Sequence, residues 1–267
     1  MLKLAKYAAY LQTEAAQQQL ESASGFSLPV GITLMGMSCY GRQLYVRPSY
    51  IQLGNKLAQL SQNASPHLKK AVMVSGTPGI GKSFCAVYLA TYFIAHGTRV
   101  IYEFHPSDGS DRSWYHFPPY SCQGLCSYHW KEFALYTRDV ETVYIVDGGL
   151  AKIPSPVCWC YAFSSPQQGL YRWHTKSPSA HLLFLPLWTL EELQACRLSV
   201  DAFESALSTQ AVIEAYEVAG GFPRTVLQIA ADWTGSGIPV RSLVIDTLNL
   251  AVTQLSSQVS SAVAELS

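Results

Sequence analysis

Two hydrophobic rhythms alternate along this chain. Short, nearly continuous apolar runs occur at 71–75 (AVMVS), 98–104 (TRVIYEF), 142–147 (TVYIVD), 157–163 (VCWCYAF) and 181–187 (HLLFLPL). Runs of that length, rich in Val, Ile and aromatic residues, predict strands, with 157–163 a buried one. Between the first two, residues 82–95 are apolar nearly all round, with Phe84, Val87, Leu89, Phe93 and Ile94. That pattern predicts a helix packed on a sheet and covered from outside, ended at His96-Gly97. Residues 1–22, rich in Ala, Gln and Leu, predict a helix, and 26–45 read as an irregular arm with several glycines and no evident chemistry. YVRPSYIQL at 45–53 opens an amphipathic helix, which 63–66 breaks before the first strand. An aromatic loop is expected from His105 to about Trp130, and KEFALYTRDV at 131–140 is helix-like. Strands alternating with helices predict an α/β fold with a mainly parallel sheet and its ligand at the carboxyl edge.

From Thr189 onward the pattern is helical: TLEELQACR, capped by Thr189 with Glu192 three residues on, then DAFESAL, then QAVIEAYEVAGGFPRTVLQIAADW. The expected organisation is an N-terminal helix and arm (1–44), a nucleotide-binding domain (45–188), a small helical lid (189–240) and a C-terminal helix (241–267). In that last helix Leu248, Val252, Leu255, Val259, Ala262 and Leu266 alternate at spacings of four and three. Such a seam packs on its own lid or on a second copy.

The candidate chemistry sits at the end of the first strand. Residues 76–83, GTPGIGKS, satisfy the P-loop pattern G-x-x-x-x-G-K-[ST] between a strand and a helix. Gly76, Gly79 and Gly81, with Thr77, Pro78 and Ile80 between them, let successive N–H groups turn toward phosphate oxygens at a helix N-terminus. Lys82 is placed to reach β- and γ-phosphates, Ser83 to hold Mg²⁺, and Phe84 completes the candidate binding segment. Asp147, closing the strand TVYIVD, fits a Walker B carboxylate sharing that Mg²⁺. Gly148 and Gly149 stand where many such ATPases carry a water-orienting glutamate. Glu103 is a substitute for it or, as the favoured reading, a surface carboxylate. Ser164 and Ser165 follow a strand expected beside the P-loop strand; they contact the γ-phosphate or cap a turn before Pro166. Arg224, in the turn GGFPR, can fork across phosphate oxygens, whereas Arg172 and Lys176 read as solvated or as a finger for a neighbouring subunit.

Composition narrows the picture. The 267 residues carry 18 basic and 18 acidic side chains, only 13% charged, against 49% hydrophobic. No global field draws such a chain to nucleic acid, and a surface built from Ser, Gln and Thr favours a protein partner or self-association. No run approaches the roughly 18 apolar residues of a membrane span. The seven cysteines, scattered and without a recognisable leader, suit reduced thiols in a cytoplasmic or nuclear setting. Cys122, Cys126 and His129 could form half a zinc site but read better as buried thiols without a metal.

The series YVRPSY, VSGTPGIGKS, TVYIVDG, FSSPQ, LPLWTLEEL and GGFPR, spanning about residues 45–230, resembles the P-loop ATPase module of Crinkler effectors and the related retrotransposon hot spot (RHS) proteins. The resemblance implies an AAA+/STAND-like P-loop NTPase, a three-layer sandwich with a helical lid. It implies Arg224 as second-sensor arginine, Ser164 as first-sensor residue, and Arg47 with Tyr50 in the segment leading into the nucleotide domain. The ubiquitin-like header and C-terminal effector domain of such proteins are not recognised here. Three activities follow: an Mg-dependent ATPase coupled to a partner or subunit, a nucleotide-gated switch without turnover, and a small-molecule kinase, disfavoured by an arginine-poor lid. With no N-K-x-D stretch for guanine, ATP is the expected nucleotide.

Overall fold

The computed structural model describes residues 2–22, 25–62, 71–106, 111–148, 151, 157–165 and 180–236. Two compact units divide the chain, Met1–Pro186 and Leu187–Ser267. The expected C-terminal helix (241–267), Arg172 and Lys176 lie outside the described residues.

In the first unit a seven-stranded sheet has the order β6 (Leu125–Ser127), β5 (Ser113–Phe117), β4 (Val100–Phe104), β7 (Val143–Asp147), β8 (Trp159–Phe163), β3 (Ala71–Ser75) and β9 (Ala180–Phe184). Five of these strands are the apolar runs: β3 (Ala71–Ser75), β4 (Val100–Phe104), β7 (Val143–Asp147), β8 (Trp159–Phe163) and β9 (Ala180–Phe184), all mutually parallel. Residues of β3, β7 and β8 are buried throughout, so nothing selects one face over the other in the sequence. The fold is of the P-loop α/β class, with β8 inserted between the P-loop strand β3 and the strand β7 that ends in Asp147.

Three expectations need correction. Residues 105–130 are not a long loop: β5 (Ser113–Phe117) and β6 (Leu125–Ser127) extend the sheet antiparallel beyond β4. Trp, Tyr, His and Phe at 114–117 fit a pleated surface as readily as a loop, and the turn residues around them disguised it. Residues 131–140 form no α-helix but two 3₁₀ turns, Trp130–Glu132 and Tyr136–Arg138. Their Trp130, Phe133 and Tyr136 pack on Ile101, Tyr144 and Cys160, covering the sheet face away from the P-loop helix. The 26–45 arm is more ordered than its glycines suggest: β1 (Gly25–Ser27) pairs antiparallel with β2 (Gln43–Tyr45) across two 3₁₀ turns, Leu34–Gly36 and Ser38–Tyr40.

On the other face lies the P-loop helix α4 (Lys82–Ala95), with Cys85, Val87, Leu89 and Ile94 buried. Each such aliphatic side chain contributes on the order of 1.5–3 kcal/mol. The N-terminal segment is two helices rather than one, α1 (Leu2–Leu11) and α2 (Glu14–Glu21), because Thr13 caps the second through the Ala16 N–H. They close over α4: Tyr7 Oη lies 2.6 Å from Thr91 Oγ1, while Gln12 and Gln17 donate to the carbonyls of Ile94 and Ala95 at 3.1 and 2.9 Å. The Gln17 amide thus serves the Ala95 carbonyl at the helix end, and Gln12 adds a donor to the Ile94 carbonyl, which also accepts the Gly97 N–H at 3.0 Å. The helix α3 (Pro48–Gln62) starts at proline, whose fixed φ suits a first turn.

His116, on β5 opposite Ile101, is buried and stacked on Tyr136 at 4.2 Å, with neither ring nitrogen hydrogen-bonded. Burial, aided by the nearby Arg99 charge, pushes its pKa down to about 4 from 6.5. The unfolded chain therefore takes up the proton first. Stability supplied by the neutral ring is complete above about pH 6.5 and drains away as pH falls toward 4. Urea unfolding should show wild type losing stability across that window, and His116→Phe losing markedly less.

In the second unit, Thr189 and Glu192 close the expected capping box on α5 (Leu190–Ser199). Then follow α6 (Asp201–Ala206), α7 (Thr209–Ala219) and α8 (Pro223–Ser236). The GGFPR turn has a steric cause. Gly220 ends α7 with φ 65°, and a side chain at Gly221 would meet the Trp188 carbonyl at 2.4 Å. Trp188 donates its N–H to the Gly221 carbonyl at 3.1 Å, tying the chain before α5 to the start of α8.

Candidate nucleotide and metal site

Residues 76–81 leave β3 and turn into α4 through three glycines at positive φ: Gly76 at 156°, Gly79 at 80° and Gly81 at 99°. The latter two occupy a region that costs an L-residue strain, so the loop can hold its curvature only with glycine there. At Gly76 a Cβ would also press on Ile80 at 3.1 Å. Thr77, Pro78, Ser83 and Phe84 are exposed and Ile80 is buried beneath the loop. The Lys82 ammonium donates to the carbonyls of Gly76 and Thr77 at 2.7 and 2.8 Å, so it lies folded along the loop.

The two proposed magnesium residues, 64 positions apart, meet here. Ser83 Oγ donates to Asp147 Oδ1 at 2.9 Å. Mg²⁺ holds oxygens at about 2.0–2.1 Å in an octahedron, whose neighbouring ligands lie roughly 2.9 Å apart. The pair thus fits two adjacent positions around one ion. Among the described residues no cluster of three or more His, Cys, Asp or Glu side chains forms. Phosphate oxygens and water would fill the other positions, as is usual for this ion.

Asp147 is almost wholly buried, and Oδ2 accepts from Tyr40 Oη at 2.8 Å and Tyr102 Oη at 3.1 Å. Burial pushes its pKa up, against the three hydroxyl donors. Both tyrosines escaped the sequence reading. Tyr40 belongs to the arm that shows no chemistry in the sequence, 107 residues from Asp147, and nothing in its neighbours marks it. Tyr102 was legible only as strand; the register that pairs β4 with β7 puts it two residues before Phe104, opposite Asp147.

Ser164 follows β8 directly; its N–H continues the ladder to the Val74 carbonyl at 3.1 Å, and its side chain is buried. It therefore stands between the strand ends that carry the P-loop and Asp147. Tyr50 donates to the Gly81 carbonyl of the loop at 2.9 Å. Arg47 is fully buried, its guanidinium donating to the Pro186 carbonyl at 3.3 Å and lying 5.7 Å from the Tyr50 ring. Arg47 and Tyr50 thus brace the loop from behind through α3 and the strand-β9 exit. Arg224 is in the second unit, exposed in the first turn of α8.

Glu103 is not a surface carboxylate. It is fully buried and bound by His105 Nε2 at 2.6 Å, by Arg112 at 3.2 Å and by the Tyr144 hydroxyl. Nor are the cysteines uniformly buried thiols: Cys122, Cys126 and Cys39 are exposed, and Cys85, Cys158, Cys160 and Cys196 are buried. No helix among the described residues is long and apolar enough to cross a membrane.

A strand-turn-helix P-loop beside a strand-terminal carboxylate places the first unit in the P-loop α/β fold class. No protein-family model matches the chain, and no curated protein matches it. Among solved structures it is similar to the Thermotoga maritima RuvB Holliday junction branch migration motor, at 13% identity and a TM-score of 0.41. That match covers 68% of this chain and 59% of the motor, so this chain aligns with less than two thirds of its length. A variant of the same motor aligns at 12% identity with a TM-score of 0.40, over 68% of this chain and 59% of the motor.

Proposed function

We propose that this chain binds Mg·ATP at the P-loop and hydrolyses it, coupling nucleotide state through its helical unit to a protein partner or a second copy. The observation that carries this reading is the 2.9 Å approach of Ser83 Oγ to Asp147 Oδ1 at the mouth of the glycine loop. The loop N–H groups of residues 76–83 cradle the phosphates, and Lys82 exchanges its two loop carbonyls for β- and γ-phosphate oxygens. Mg²⁺ would be held by Ser83 and Asp147 and would neutralise charge developing on the transferred phosphoryl group. Tyr40 and Tyr102 fix the Asp147 carboxylate so that Oδ1 faces Ser83. Ser164 donates to the γ-phosphate or its attacking water, and Arg224 acts as the lid arginine of the module that the Crinkler-like motif series implies.

A second reading, a nucleotide-gated switch without turnover, draws on Gly148. Its φ is 99°, and a Cβ there would sit 3.0 Å from the His105 carbonyl oxygen, so no glutamate is readily accommodated. Phosphate release separates the two readings. With Mg·ATP at several protein concentrations, wild type should release phosphate at a rate that requires divalent ion. A rise per molecule with concentration would mark an assembling ATPase; tight binding with no release would leave the switch.

A further inference from the structure

The space beyond Gly148 is filled from an unexpected direction. The ladders continue past the strand ends: His105 donates its N–H to the Asp147 carbonyl at 2.9 Å, and Gly148 donates to the Phe163 carbonyl at 2.9 Å. His105, two residues after Glu103, returns to the face of the sheet that Glu103 occupies, and their side chains meet at 2.6 Å. That face is opposite the one carrying the Asp147 carboxylate, and His105 stands beside Gly148 there. A Cβ built on Gly148 lies 3.0 Å from His105 Cβ. The histidine thus starts where a Walker B glutamate would start.

It is also held as a working imidazole is held. Nε2 meets Glu103 Oε1 at 2.6 Å, and that carboxylate is itself fixed by Arg112 and Tyr144. A carboxylate only accepts, so Nε2 of a neutral ring carries the hydrogen and Nδ1 keeps a lone pair. Nδ1 has no hydrogen bond among the described residues, and the ring is 11% exposed.

We propose that His105, oriented by Glu103, positions the attacking water through Nδ1 in place of the missing glutamate. The inference rests on the hydrolysis reading above. Water oxygen forms the new bond to the γ-phosphorus, and the bond to the β–γ bridging oxygen breaks with its electron pair retained by ADP. The water proton passes to an oxygen of the departing phosphate. His105 is the catalytic group, accepting a hydrogen bond from the water; Glu103 is a positioning residue.

The test is turnover and ligand binding in His105→Ala, His105→Asn and Glu103→Gln, with thermal midpoints confirming folding. In His105→Ala kcat should fall about 100-fold, the size typical of a positioned acid–base group. The Kd for Mg·ATPγS should stay within about twofold, and the extra affinity for Mg·ADP·aluminium fluoride over Mg·ADP should disappear. Asparagine, whose amide oxygen reaches the Nδ1 position, should recover roughly tenfold of the loss. Glu103→Gln should lower kcat about tenfold at unchanged KM, and Gly148→Glu should not raise turnover. Wild-type hydrolysis that survives His105→Ala, or Mg·ATPγS binding lost in parallel with kcat, overturns the assignment alone. Wild-type binding without any turnover overturns the hydrolysis reading and this assignment together.

Discussion

Lys82→Ala is expected to weaken Mg·ATP binding at least about 100-fold while leaving the thermal midpoint of the nucleotide-free protein within about 2 °C. The ammonium donates to the Gly76 and Thr77 carbonyls of the loop at 2.7 and 2.8 Å. Its loss leaves the two loop carbonyls to hydrogen-bond with water. Toward a triphosphate the same group supplies charge-assisted hydrogen bonds to two phosphates, each roughly twice as strong as a neutral one. Fluorescence titration with a labelled ATP, alongside a melting curve, measures both quantities. Binding retained in this variant would remove the phosphate site from the glycine loop.

Asp147→Asn should separate stability from function in the opposite sense. The carboxylate is buried, and burial raises its pKa above the ordinary 3.8. A raised folded pKa means that the stability contributed by this group is fully present below about pH 3.8 and is lost as pH rises through the folded value. At neutral pH the charge is thus a burden on the nucleotide-free fold. Asparagine keeps the shape without that charge: its carbonyl oxygen still accepts from the Tyr40 and Tyr102 hydroxyls, and its amide donates to Ser83 Oγ, which turns from donor to acceptor. The variant should match or exceed wild type in urea at pH 7, by up to about 2 kcal/mol, the margin shrinking toward pH 4. Its Mg²⁺-dependent gain in ATP affinity should disappear. A variant less stable than wild type at pH 7 but not at pH 4 would contradict the burial argument; an undiminished Mg²⁺ effect would remove Asp147 from the metal site.

Much of the candidate site was legible because its glycine turn, lysine and serine follow one another in the chain. Backbone N–H groups, a lysine and a serine must follow one another on a single turn, so residues 76–83 carry their meaning in their order. The strand ending at Asp147 was legible for the same reason, as an apolar run closing on a carboxylate. The parallel sheet followed from the apolar runs, although β9 at its edge leaves His181 and Phe184 exposed. Local pattern misled where aromatic and turn-forming residues are mixed: 113–127 form strands, and 131–138 form 3₁₀ turns whose cores come from Trp130, Phe133 and Tyr136.

What the sequence determined by itself is therefore the glycine loop, its lysine and serine, the strands behind them and the capped helices that follow, each encoded within a few consecutive residues. What only the tertiary structure decided is everything that depends on strand register. Pairing of β4 with β7 brings Tyr102 to Asp147 and sets Glu103 and His105 on the opposite face beside Gly148. Packing of the N-terminal arm carries Tyr40 to the same carboxylate. A carboxylate such as Glu103 reads as a surface residue until its neighbours are known, because the cost of burying a charge is offset by partners that the fold, not the adjacent sequence, provides.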